Sequence, residues 1–140
     1  ISFYSNEFYI IILYMNSKNA YEFFSLGKKF AKENNYVKAA MLFEKAKKIE
    51  PNKGSIHEAL GLAYFNCGLY SSAKKHFEIA LKIDPSNDFA YYCLGLSLAK
   101  EGKINQALGK IKIASAMKPE NKSYLSAVKR YKKLLEKLME

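Results

Sequence analysis

Apolar and small side chains recur along this chain at a fixed step of 34 residues, as Pro51, Pro85 and Pro119 show. Five further columns keep the same step: Leu26, Leu60 and Leu94; Gly27, Gly61 and Gly95; Ala39, Ala73 and Ala107; Phe43, Phe77 and Ile111; Ala46, Ala80 and Ala114. A constant period of this length is typical of solenoids, in which one supersecondary unit stacks on the next. The pattern therefore predicts three consecutive copies of one unit.

Each copy contains two runs of apolar positions with helical spacing. Leu60, Gly61 and Tyr64 lie at i, i+1 and i+4, and Ala73, Phe77 and Ala80 lie at i, i+4 and i+7. Small Gly and Ala residues at these positions let two helices approach closely. The predicted helices run near residues 21–32, 36–49, 55–66, 70–83, 89–100 and 104–117.

Turn residues separate these runs at matching places. Asn34, Gly68 and Gly102 share one column between the two helices of a copy, and Gly or Asn readily adopts the left-handed conformation that ends a helix. The three prolines follow the second helix, where Pro stops it. We expect Ser86 or Asn87 to cap the third copy, and Asn121 to cap the segment after it.

Residues 122–140 predict a seventh helix with one apolar stripe. The stripe is Tyr124, Leu125, Val128, Tyr131, Leu135 and Leu138, at i, i+3, i+4 and i+7 spacing. Lys122, Lys129, Arg130, Lys132, Lys133 and Lys137 lie on the other side. We expect this helix to cover the third copy and to turn its charge to water; the alternative is a basic amphipathic helix for a membrane or a partner protein.

The quoted columns resemble the tetratricopeptide repeat (TPR) family, whose consensus is W-x2-L-G-x2-Y, then A-x3-F, A and P. Repeat two carries the match as His57, Leu60, Gly61, Tyr64, Ala73, Phe77, Ala80 and Pro85. The departures are Leu98 and Ile111 in place of aromatics, and the absence of Trp. The resemblance implies an all-α fold, a right-handed superhelix of three helix-turn-helix repeats at 20–53, 54–87 and 88–121, with 122–140 as a C-terminal solvating helix.

Residues 1–19 do not carry the repeat. Their apolar run, 8–15, is too short to span a bilayer, and it lacks the basic flank and cleavage site of a signal peptide. Three alternatives stay open: a helix that caps the first repeat, a segment that docks in a groove of this chain or of a neighbouring copy, and the tail of a removed anchor. Because the chain does not begin with Met, we expect a fragment or a processed product.

The net charge of +10 comes almost wholly from lysine. Such a charge favours acidic partners, nucleic acid or anionic lipid, but lysines on solvated faces give the same total. We expect Lys47, Lys48, Lys74, Lys75 and Lys112 to point outward on second helices.

The cysteines and histidines point to packing rather than to chemistry. Cys67 and Cys93 do not make a disulfide framework, and we expect both to be small buried apolar residues, which fits a reducing compartment such as the cytoplasm. His57 and His76 lack metal-ligand spacing, so we expect packing or surface roles, with no metal and no cofactor. Gly-rich phosphate loops, nucleophile elbows and paired carboxylates are missing from the sequence, so we expect no enzymatic activity.

In the TPR family the first helix of each pair lines a concave surface where peptides bind. The columns carried over from the family are Tyr21, Phe24, Lys28, Lys32, Glu58, Leu62, Phe65, Asn66, Phe89, Tyr92, Leu96 and Lys100, with Ser55 beside them. Independently, Phe89, Tyr92 and Leu96 form a second apolar stripe on their helix, and large exposed apolar patches mark binding sites. The alternative is that these aromatics pack only on one another or on residues 1–15.

One subclass of the family holds the acidic C-termini of large heat-shock chaperones in a carboxylate clamp of Lys, Asn, Asn, Lys and Arg. The matching columns here are Phe24, Lys28, Ala59, Phe89 and Cys93, and only Lys28 is cationic. Charge-assisted bonds to a terminal carboxylate need those missing donors, so we argue against such a ligand.

The resulting hypothesis is a non-catalytic protein-interaction module, an adaptor or assembly chaperone that binds an apolar peptide or helix with acidic flanks. Two alternatives stay open. One is a basic surface for nucleic acid or anionic membrane, and the other is self-association through residues 1–15. The identity of the partner does not follow from the sequence.

Overall fold

A computed structural model describes residues 19–140, which form seven helices with no strand among them. The helices are α1 Ala20–Lys32, α2 Tyr36–Ile49, α3 Gly54–Asn66, α4 Tyr70–Ile83, α5 Asp88–Lys100, α6 Ile104–Met117 and α7 Lys122–Leu138. Within this range no helix has the length and apolar character needed to cross a membrane. The alternatives for residues 1–19, including self-association through 1–15, fall almost wholly outside the described residues.

The helices pack as successive antiparallel neighbours. The pairs α1–α2, α3–α4 and α5–α6 make the most extensive contacts, and each second helix also packs on the next first helix. The first helices α1, α3 and α5 touch one another in turn, so they share one face of the array. The predicted all-α solenoid of helix pairs is therefore confirmed.

The turns adopt the backbone conformations expected from their residues. Asn34, Gly68 and Gly102 have φ angles of 61°, 77° and 81° and end α1, α3 and α5 in the left-handed region. Asn87 and Asn121 cap the next helices, because their side-chain oxygens accept hydrogen bonds from backbone N–H groups three residues on, at 3.0 and 3.1 Å. Ser86 is not the cap.

Each helix pair crosses at a glycine pressed against a large side chain. A methyl group at Gly61 would lie 2.6 Å from the Phe77 ring, and the equivalent distances at Gly27 and Gly95 to their partners are 2.5 Å. Phe43, Phe77 and Ile111 are those partners, and all three are buried. Two of the 34-residue columns, the glycine column and the Phe/Phe/Ile column, are therefore the two sides of the contact at which each helix pair crosses.

Three expectations about individual side chains need correction. Cys93 is buried, but Cys67 is only partly so. The Lys47 and Lys74 side chains are partly buried in ion pairs with Glu44 (2.7 Å) and Glu101 (3.1 Å), rather than free in solvent.

The apolar face of α7 also differs from its predicted stripe. Leu125 and Leu138 are exposed, whereas the small Ala127 is buried beside Tyr124 against the rest of the array. The helix nevertheless packs on α6 and so covers the third pair. The reason is steric, since a close helix crossing favours a small residue over leucine at the line of contact.

Two buried histidines lie between the first two helix pairs. The His57 and His76 rings stack with centroids 5.7 Å apart, and both side chains are almost fully buried. The His76 Nδ1 hydrogen-bonds the Ser72 carbonyl at 2.9 Å, and its Nε2 is 3.9 Å from the Glu44 carboxylate. Of the two roles expected from the sequence, packing or surface, both histidines therefore have the packing role.

We expect the free energy of unfolding to fall as the pH is lowered from about 7.5 to about 5.5. Burial lowers the pKa of His76 below its usual 6.5, with Lys47 and His57 acting in the same direction against the Ser72 carbonyl and Glu44. The folded state therefore favours neutral His76. As the pH falls through 6.5, the histidine becomes protonated in the unfolded chain before it does so in the folded chain, and this difference favours unfolding. Denaturant unfolding of wild type and His76→Gln measures the effect.

The His76→Gln variant should lose less stability over this interval than the wild type. Glu44 does not titrate in this pH interval and so does not contribute to the change in stability. Burial raises the pKa of its carboxyl group, but hydrogen bonds from Lys47 and Tyr64 outweigh burial, so the net shift of the pKa is downward. Equal losses in the two proteins would contradict the assignment to His76.

Candidate functional site

A groove opens on the face that the first helices share. It lies between α1 and α3, has a volume of about 420 Å³, and is called the α1–α3 groove below. Its lining residues are Phe24, Lys28, Ala31, Lys32, Tyr36, Phe43, Ser55, Glu58, Ala59, Leu62, Ala63 and Asn66.

The floor of the α1–α3 groove is apolar and one of its walls is cationic. The Phe24 ring lies 5.5 Å from the Phe43 ring, centroid to centroid, and both belong to the core cluster or pack against it. The Lys28 ammonium lies 4.9 Å from the centre of the Phe24 ring, within the range of a cation–π contact. Lys28 and Lys32 are exposed at the rim, where their charges remain available to an anionic group.

Glu58 is the one carboxylate among the described residues that line the α1–α3 groove, and it has a structural partner. Glu58 accepts a hydrogen bond from Asn87 Nδ2 at 2.5 Å, while Asn87 Oδ1 caps α5 through the Ala90 N–H. This amide therefore ties α3 to the start of α5. At the far end, Asn66 Nδ2 donates to the Leu62 carbonyl at 2.8 Å, closing the last turn of α3.

The structure brings half of the predicted groove residues together. Those lining the α1–α3 groove are Phe24, Lys28, Lys32, Glu58, Leu62 and Asn66. Those lying elsewhere are Tyr21, Phe65, Phe89, Tyr92, Leu96 and Lys100. Tyr21 is 72% exposed, and the Phe65 ring packs edge-on against Tyr70 at 5.3 Å, which turns it toward the core of the second pair.

Tyr92 of α5 belongs to a second concavity, between α5 and α7. The Tyr92 ring lies 6.4 Å from the Phe89 ring and 4.8 Å from the Tyr124 ring, so the exposed apolar stripe expected on α5 is partly covered by α7. The residues lining this concavity, called the α5–α7 pocket below, are Tyr92, Lys122, Ser123, Ser126, Ala127 and Arg130. Its volume is about 370 Å³.

A buried hydrogen bond fixes α7 against α5. The Tyr124 hydroxyl donates to Asp88 Oδ2 at 2.6 Å, and the side chain is buried. Burial, together with the bond to the Asp88 carboxylate, raises the pKa of Tyr124, so the hydroxyl stays a donor at physiological pH. Through this bond α7 contacts α5 and extends the shared face, in addition to covering the third helix pair.

The residues of α7 that line the pocket were not among the predicted site residues. A signal for them exists in the sequence, because the 34-residue step from Tyr92 leads to Ser126 and from Leu96 to Arg130. Carrying the columns one copy further would have placed them on the shared face.

Cations outnumber acids along the outer edge of α1. Ser25, Lys28, Lys29 and Lys32 line a shallow depression there, next to the α1–α3 groove. Among residues 19–140, no three His, Cys, Asp or Glu side chains are grouped closely enough to hold a metal ion.

Known proteins share both the repeat in the sequence and the fold. A sequence model described as "Tetratricopeptide repeat" matches residues 54–87. The first TPR domain of Spaghetti (RPAP3), solved bound to the HSP90 peptide SRMEEVD, shares the fold with a TM-score of 0.82 at 19% identity, covering 86% of this chain and 95% of that chain.

Two further solved structures have the same fold. For the Sgt2 TPR domain from Aspergillus fumigatus the TM-score is 0.79 at 20% identity, covering 85% of this chain and 80% of that chain. For the second TPR domain of human RPAP3 in complex with the HSP70 peptide SGPTIEEVD, the TM-score is 0.77 at 22% identity, covering 81% of this chain and 94% of that chain. A search of curated proteins found no match.

Proposed function

We propose that this chain is a non-catalytic module that binds a segment of a partner protein in the α1–α3 groove. The chain carries a tetratricopeptide repeat at residues 54–87 and has the TPR fold, as its sequence predicted. The observation that supports this proposal most is the apolar lining that includes Phe24 and Leu62, with the exposed Lys28 and Lys32 at its edge. Grooves of this kind accept amphipathic helices or extended peptides through apolar anchors.

The side chains that line the groove indicate which residues the partner segment would contain. The apolar floor takes one or two apolar side chains, and burying each contributes about 1.5–3 kcal/mol before the cost of ordering the peptide. Lys28 and Lys32 at the rim favour acidic residues next to the anchor. Glu58, held by Asn87, discourages acidic residues on the α3 side.

We expect the chaperone peptides SRMEEVD and SGPTIEEVD to bind this chain at least about a hundredfold more weakly than they bind the two RPAP3 domains. The reason is that this chain lacks most of the side-chain donors of the carboxylate clamp. Ala59 has no side-chain donor and Cys93 is buried in the core, so of these positions only Lys28 can bind the terminal carboxylate of the peptide. Fluorescence anisotropy with labelled peptides measures this, with the RPAP3 domains as positive controls. Comparable affinity that is lost in Lys28→Ala would show that a clamp exists here in another form.

Selection from a random dodecapeptide library displayed on phage tests the proposed groove. Peptides enriched on the wild-type chain should bind Ala59→Gln at least about tenfold more weakly, because the longer side chain fills the groove floor. The matched control is Ala116→Gln on an exposed position of α6, which should bind as the wild type does. Circular dichroism confirms that both variants remain helical.

Three results would contradict the proposal. They are a library without enriched sequences, equal affinity of wild type and Ala59→Gln, and loss of binding in Ala116→Gln alone. Tight binding of RNA or anionic vesicles instead, with log affinity falling linearly with log salt, would favour the basic-surface hypothesis.

A further inference from the structure

The α5–α7 pocket has the composition of an anion site. Lys122 and Arg130 place two cationic groups at it, and Ser123 and Ser126 add two hydroxyls. Among the described residues no carboxylate lines it, and the nearby Asp88 carboxylate is held by the Tyr124 hydroxyl at 2.6 Å. An anionic group entering the pocket would therefore meet donors and positive charge.

Tyr92 also lines the pocket, and its side chain carries a hydroxyl group that can donate a hydrogen bond. Burial raises the pKa of Tyr92, against the opposing effect of the Arg130 charge, so the phenol is protonated at neutral pH. One guanidinium N–H of Arg130 donates to the Tyr131 hydroxyl at 3.3 Å, and an arginine side chain has five N–H donors in all. Donors thus remain for a carboxylate or a phosphate.

The α5–α7 pocket lies on the same face as the α1–α3 groove. Phe24, Glu58, Tyr92 and Ser126 form one column, in which each residue follows the previous one by 34 positions. The first two line the groove and the last two line the pocket. Ala59 and Ala127 occupy matching columns in the same way, two steps apart. One extended ligand crossing the first helices in order therefore passes over both concavities.

The separation of the two sites sets a spacing on that ligand. Neighbouring packed helices lie about 8–10 Å apart, and the groove and the pocket are two such steps apart along the first-helix face, or roughly 16–20 Å. An extended peptide advances about 3.3 Å per residue, so the distance corresponds to about five or six residues.

We propose that the α5–α7 pocket binds an anionic side chain, a carboxylate or a phosphate, of the same peptide whose apolar anchor occupies the α1–α3 groove, about five or six residues away. This inference rests on the proposed function. It assigns α7 a part in recognition beyond covering the third pair, and it makes Arg130 and Lys122 determinants of specificity.

The displayed dodecapeptide library tests the pocket separately from the groove. The wild-type chain should enrich peptides with an apolar anchor and an Asp or Glu about five or six residues from it. Selection on an Arg130→Gln, Lys122→Gln double variant should keep the apolar anchor and lose the acidic preference. The matched control, Lys132→Gln, removes an exposed charge of α7 outside the pocket and should retain both preferences.

Resynthesised peptides give the size of the effect and separate the two anion sources. For the most enriched peptide, changing its acidic residue to Gln or Asn should weaken binding to the wild type about tenfold and leave binding to the double variant almost unchanged. A phosphoserine version reports whether phosphate is preferred to carboxylate, and either preference supports the proposal as long as the double variant abolishes it.

The contradicting results distinguish the two proposals. Enrichment of an apolar anchor without an acidic preference, or an acidic preference unchanged in the double variant, overturns the pocket and leaves the groove standing. An acidic preference lost equally in Lys132→Gln shows a general effect of net charge and also overturns the pocket. A library in which nothing is enriched overturns both.

Discussion

Replacing Phe77 with alanine should lower the free energy of unfolding by about 3–5 kcal/mol. Phe77 is fully buried, and its ring lies against Gly61 of the facing helix, so truncation removes the side chain that fills the crossing of α3 and α4. Such a loss is a large share of the roughly 5–15 kcal/mol typical of a domain of this size. Urea unfolding followed by circular dichroism measures it.

The matched control is Phe89→Ala, the same substitution at a ring that is 37% exposed. We expect that variant to lose at most about 1 kcal/mol, because much of this ring already lies in solvent in the folded chain. If Phe77→Ala costs no more than Phe89→Ala, the helix pairs are not held together at this crossing.

Replacing Gly61 with alanine should destabilise the chain by roughly 2 kcal/mol, although alanine is the better helix former. The new methyl carbon would lie 2.6–2.8 Å from three atoms of the Phe77 ring, which is enclosed and has little room to move. Denaturant unfolding compares the variant with the wild type.

Gly109→Ala provides the opposite control. Gly109 is exposed within α6, and among residues 19–140 no atom lies within 4 Å of the position that a side chain would take, so alanine should stabilise the chain by about 1 kcal/mol. A second variant, Gly61→Ala with Phe77→Leu, should recover part of the loss because the smaller side chain leaves room for the methyl group. A neutral Gly61→Ala would mean that the helices do not approach as closely as the structure shows.

The helices could be predicted from sequence because several local signals agree. The apolar spacing, the left-handed residues Asn34, Gly68 and Gly102, and the Asn caps all define the same boundaries, so predicted and observed helix ends differ by at most one residue over residues 20–117. Such agreement between levels is what makes a sequence specify one fold.

The shape of the candidate site could not be predicted to the same depth. A column assigns a residue to a face of its helix, but the orientation of its side chain depends on the neighbours that other helices supply. Phe65 turns to Tyr70, and Tyr92 lies against Tyr124, 32 residues away. Tyr92 therefore lines the α5–α7 pocket, and the α1–α3 groove keeps a mixed apolar and cationic lining.

The two concavities divide the shared face into chemically different ends. The Glu58–Asn87 hydrogen bond ties α3 to the start of α5 between them. If one ligand occupies both ends, as we propose, it must also match their spacing, and this requirement adds specificity that neither site provides alone.

The most direct test of the account is an NMR titration of the 15N-labelled full chain with the most enriched library peptide. The account predicts that the largest amide shift changes occur at residues lining the groove, among them Lys28, Leu62 and Asn66, with little change on the second helices α4 and α6. Changes confined to those second helices, or none at saturating peptide, would contradict the claim that the α1–α3 groove is the binding site.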